Sequence, residues 1–98
     1  MIKVKYTTNK VTISGHANFA EYGKDIVCAS VSSIVTTSVN DMYTVLKDSI
    51  AYSDNGNIMI IEILINDELV IKLFNNMLNL LKNLSEDYPK NIIIESEE

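Results

Sequence analysis

Two side chains in this sequence, His16 and Cys28, could together carry covalent chemistry, and the chain has no other histidine or cysteine. A cysteine attacks as its thiolate, which is a minor form near neutral pH unless its surroundings favour it. A neighbouring imidazolium favours it, and so does the N-terminal end of a helix. Asp25 stands just before a long helical run and reads as its N-cap, which places Cys28 in the first turn. Backbone N–H groups of a first turn lack helical partners, and those here, Cys28's own included, are suited to hold the oxyanion of a tetrahedral intermediate. Ser32 follows one turn later on the same face, so Asp25 and Ser32 are possible assisting residues. Each residue also has an ordinary reading. A lone helical cysteine is most often a small buried apolar group, a lone histidine a surface residue, and Asp25 simply a cap.

The elements that must position this pair follow from hydrophobic periodicity. Ile2, Val4 and Tyr6 alternate with Lys3, Lys5 and Thr7, the period of a half-buried strand. A turn at Asn9 leads to a second alternating run from Val11 to Ala17, so the two form a hairpin. On that phase Gly15 lies on the apolar side, while His16 continues the face of Thr12 and Ser14 at the strand's end. Residues 18–24 (NFAEYGK) follow neither period and read as a loop. From Asp25 to about Lys47 neither glycine nor proline occurs, and Val27, Val31, Ile34, Val35, Met42, Val45 and Leu46 recur at helical spacing. The stretch VSSIVTTSV has strand-like propensity, but a strand of that length would be rare, so period and length predict a helix.

Further on, SIAYSD and IMIIEILI flank Asn55-Gly56, a pair that tolerates the positive φ of a tight hairpin turn. Ile58, Ile60, Ile61, Ile63 and Ile65 predict a deeply buried second strand. Asn66, Asp67 and Glu68 open a second helix, with acids where its dipole favours them. Its broad apolar face comprises Leu69, Val70, Leu73, Phe74, Met77, Leu78, Leu80, Leu81 and Leu84. Pro89 ends it, and 91–94 read as a last short strand. The expected fold is α+β: a single small layered domain over 1–98, in the order β-β-α-β-β-α-β, with a sheet packed against two helices.

Composition narrows the function. Eight bases against thirteen acids give a net charge of -5. All the bases are lysine, which argues against a nucleic-acid partner, since phosphate binding needs a basic stripe and base reading leans on arginine. One cysteine and one histidine exclude an intrachain disulfide and a Cys-rich or multi-histidine metal site, so no cofactor or metal is expected. No apolar run approaches the ~18 residues of a membrane span, and the first ten residues lack the apolar core of a signal peptide. A cytoplasmic protein is expected.

The spelling around the reactive pair is more specific. Gly15-His16-Ala17, then Gly23-Lys24-Asp25-Ile26-Val27-Cys28-Ala29, then Val31-Ser32 resembles the ribosomal-processing cysteine protease family, Prp. There a GHA motif and a G-x-D-x-V-C-A-x-x-S motif bracket a mobile loop. The resemblance extends over the whole chain in length, element order and the closing Tyr88-Pro89 before a short apolar strand; the middle hairpin and second helix match in pattern alone. It implies an endopeptidase that trims the N-terminal extension of the twenty-seventh large-subunit ribosomal protein. Cys28 would be the nucleophile and His16 the general base and acid, acting as a dyad. It also implies a homodimer whose substrate loop, here 18–24 with Phe19, Tyr22 and Gly23, orders over the peptide. Two other classes stand beside it: a non-catalytic ribosome-associated binding module of the same fold, with Cys28 inert, and an RNA-binding module.

Overall fold

The computed structural model describes residues 1–15 and 25–98. His16, Phe19, Tyr22 and Gly23, and with them the expected substrate loop, lie outside the described residues.

The first alternating run forms strand β1 (Ile2–Tyr6) and the second β2 (Lys10–Ser14). They pair antiparallel, with Val4 opposite Ile13 and Tyr6 opposite Val11. The strand expected to continue to Ala17 ends at Ser14. Gly15 takes a φ of +86°, a left-handed conformation that breaks the pleat. A Cβ at Gly15 would also collide with the carbonyl oxygen of Met1. The glycine of the GHA motif therefore lets two backbones meet where the chain leaves β2. Gly15→Ala is expected to destabilise the protein by about 2 kcal/mol or more, through unfavourable φ and backbone collision, as read from urea denaturation.

Helix α1 (Ile26–Val45) follows, then β3 (Ile50–Asp54), β4 (Ile58–Ile63), α2 (Glu68–Asp87) and β5 (Ile92–Ser96). This is the expected element order. The strand-prone residues of α1 are accommodated by local hydrogen bonds. The hydroxyls of Ser30, Thr36, Ser38 and Thr44 each donate to the carbonyl four residues back, at 2.7–2.8 Å. Val27, Val31, Val35, Val39 and Met42 meanwhile make a buried stripe along the helix.

The strands form one sheet in the order β3-β4-β2-β1-β5. The β1–β5 pair is parallel and the other pairs are antiparallel. α1 packs beside β3 and α2 beside β5, and the helices touch each other, so both cover the same face. Val4, Val11, Ile61 and Phe74 are fully buried between the two layers.

One-sided cover corrects the expectation of a deeply buried β4. Ile61 is buried, with Met59 and Ile63 packed against the core on its face. Ile58 lies exposed on the opposite face and Ile60 is half-buried; Ile65 lies beyond the strand and is exposed. Similarly, Leu69 and Leu80 of the expected α2 face point to solvent, while Val70, Phe74, Met77, Leu78 and Leu81 are buried. No described helix is long and apolar enough to cross a membrane.

Candidate active site

Cys28 is the third residue of α1 and is half-buried. Asp25 caps the helix as expected, with extended backbone at φ −78° and ψ 100°. Its Oδ1 accepts the N–H groups of Val27 and Cys28, both at 3.0 Å. Its carbonyl accepts the N–H of Ala29 at 3.1 Å. The Cys28 N–H, expected to be open for an oxyanion, is thus engaged by the cap. The short aspartate side chain reaches both N–H groups of the first turn from the cap position, which is the physical reason for the change. Asp25→Ala is expected to cost about 1 kcal/mol of unfolding free energy, and Asp25→Asn only a few tenths, because asparagine keeps the accepting oxygen. Thermal and urea melts of the two variants check this.

Beside Cys28 a cavity of about 160 Å³ opens between α1 and the tip of the β3–β4 hairpin. A water molecule occupies about 30 Å³ of liquid, so this space accommodates a single side chain. Ile2, Ile13, Val31 and Met59 form its apolar lining. Cys28 and Ser32 stand on the helix side, and Asp54, Gly56 and Asn57 on the hairpin side. Ser32 therefore shares the cavity with the thiol, as expected from its spacing, whereas Asp25 acts on the thiol's own backbone.

Strand register explains why the hairpin comes here. Ser14, the last residue of β2, pairs with Ile58, the first of β4. The β3–β4 turn consequently lies alongside Gly15, where the chain departs toward residue 16. Its construction differs by one residue from the expected Asn55-Gly56 turn. The Asn55 N–H donates to the Ile58 carbonyl, which leaves Gly56 and Asn57 as the central pair, and Gly56 takes a φ of +89°. Side chains brace it: Asp54 Oδ1 accepts the Gly56 N–H at 2.8 Å, and Asn55 Oδ1 accepts the N–H groups of Asn57 and Ile58. Asp54 also acts on Tyr52, whose phenol is raised above its ordinary value first by burial and second by the Asp54 charge. Among the described residues, no group of three or more His, Cys, Asp or Glu side chains is arranged to hold a metal ion.

The hairpin side of the cavity was missed in the sequence. Asn55-Gly56 marks a turn, but nothing local says that the turn closes on Cys28.

Comparison with known proteins defines the class. Residues 1–93 match the family model for the cysteine protease Prp. A ribosomal processing cysteine protease Prp of Staphylococcus aureus (strain Mu50) is 38% identical over 101 residues, covering 94% of this chain and 95% of its own. The corresponding protease of Mycoplasma genitalium is 34% identical over 99 residues, covering 99% and 97%. A crystal structure of an essential ribosomal processing protease Prp from S. aureus, in complex with a covalently linked product peptide, superimposes with a TM-score of 0.86. That alignment is 33% identical and covers 99% of this chain and 100% of the other.

The protein is a cysteine protease. More specifically, the chain belongs to the Prp family of ribosomal processing cysteine proteases.

Proposed function

We propose that this protease removes the N-terminal extension of the twenty-seventh large-subunit ribosomal protein, with Cys28 as nucleophile and His16 as general base and acid. The observation that carries the reading is the placement of Cys28: a half-buried thiol at a helix start, on the wall of a cavity sized for one side chain. The solved relative with a covalently linked product peptide adds support, since covalent catalysis passes through a bond between enzyme and peptide.

His16 takes the proton from the thiol, and Sγ adds to the scissile carbonyl carbon. The tetrahedral intermediate collapses as His16 gives that proton to the leaving amine, breaking the C–N bond and leaving a thioester on Cys28. His16 then takes a proton from water, whose oxygen attacks the thioester carbon; the C–S bond breaks to release the second product, and His16 returns the proton to Sγ. The helix start favours negative charge on sulfur through its dipole. The Asp25 carboxylate accepts the Cys28 N–H and so fixes the backbone that carries the thiol. The imidazolium of His16 is the group proposed to favour the thiolate. Asp25 holds the helix start that presents Cys28, Ser32 shares the cavity with the thiol, and Phe19, Tyr22 and Gly23 belong to the substrate loop. The enzyme works in the cytoplasm as a homodimer.

Incubation of the purified protein with the ribosomal protein precursor, followed by mass spectrometry, tests the reading. One cut that separates the extension from the mature protein is expected. An uncut precursor would contradict it.

A further inference from the structure

The hairpin side of the cavity holds a charge that the proposed dyad does not use. Asp54 ends β3 and lines the same cavity as Cys28 and Ser32. The bond from the Gly56 N–H to Oδ1 fixes its orientation, and no described lysine lines the space with it. Ile2, Ile13 and Met59, which are apolar, line the same space. An acidic residue and hydrocarbon on one cavity wall match an amphipathic cation, whose methylene stem covers apolar surface while its head meets the opposite charge. A purely apolar side chain would use the hydrocarbon lining alone and gain nothing from the charge.

We infer that Asp54 is a specificity-determining residue, which receives a lysine side chain of the peptide substrate in the cavity beside Cys28. The inference rests on the proposed protease reading and extends it by naming the chemistry the hairpin selects. The carboxylate acts on binding and not on the reacting atoms. Its contribution is therefore read in affinity and in salt dependence, since a rim ion pair weakens as ionic strength rises.

The test uses peptides spanning the cleavage junction of the ribosomal protein precursor. They are made in pairs with lysine or norleucine at each position flanking the scissile bond in turn, because norleucine keeps the stem and removes the charge. Binding to Cys28→Ala is measured by fluorescence anisotropy, and cleavage by the native protein is measured in parallel. At one position the lysine peptide is expected to bind about tenfold more tightly than its norleucine partner at low salt. In Cys28→Ala combined with Asp54→Asn, which retains the oxygen that accepts the Gly56 N–H, the ratio is expected to fall to about one. An unaltered ratio in the Asp54→Asn protein, or no preference at any position, overturns the inference. Cleavage by the native protein together with such a charge-blind result leaves the protease reading standing. Failure of every peptide both to bind and to be cut overturns the two together.

Discussion

Cys28→Ala is expected to reduce cleavage of the ribosomal protein precursor to background, a loss of at least about 10³-fold, while the folded protein persists. The substitution removes only a sulfur atom from a half-buried position, so the unfolding free energy should change by about 1 kcal/mol. The Asp25 cap should survive, because it is built from the backbone N–H groups of Val27 and Cys28. Urea denaturation and a cleavage assay on the same preparation separate the outcomes. Continued cleavage would remove Cys28 from the chemistry. Loss of the fold would make the sulfur a packing group first.

His16→Ala should have the next largest effect. A positioned general base and acid contributes about 10²–10⁴-fold, so turnover should fall by that order. The more specific readout is thiol alkylation against pH. An unperturbed thiol loses reactivity as pH falls below ~8.5. With an imidazolium beside it, the native thiol should react with iodoacetamide well below that value, and His16→Ala should abolish the low-pH reactivity. Identical profiles for the two proteins would mean that His16 does not couple to Cys28.

Much of the fold is legible from local rules. Alternation at Ile2, Val4 and Tyr6 and the helical stripe from Val27 to Met42 report directly which face each element buries. In VSSIVTTSV period and length outweigh strand propensity, and the serine and threonine bonds to carbonyls one turn back show how such residues fit a helix. The cap at Asp25 was equally legible, being set by one side chain and the turn that follows it. Its hold on the Cys28 N–H follows from the same short side chain.

Non-local facts were not legible. Whether Ile58 and Ile60 are buried depends on whether helices cover one face of the sheet or both, and no property of β4 itself reports that. The early end of β2 follows from Gly15 meeting the backbone of Met1, a contact between the start of β1 and the end of β2. Asp54 reaches the cavity because β4 inserts between β3 and β2, which carries the hairpin turn to the end of β2. For the site, the helix-start thiol and its neighbour Ser32 could be read from spacing, while the hairpin side required the strand order.

The most direct measurement is the mass of the enzyme itself during turnover. The native protein is mixed with the ribosomal protein precursor, quenched in acid within the first turnovers, and analysed intact and after digestion. The proposal predicts an adduct equal to the N-terminal fragment less water, located on the peptide containing Cys28 and released by hydroxylamine as a thioester would be. Cleavage with no adduct, persisting at the native rate in Cys28→Ala, would contradict it.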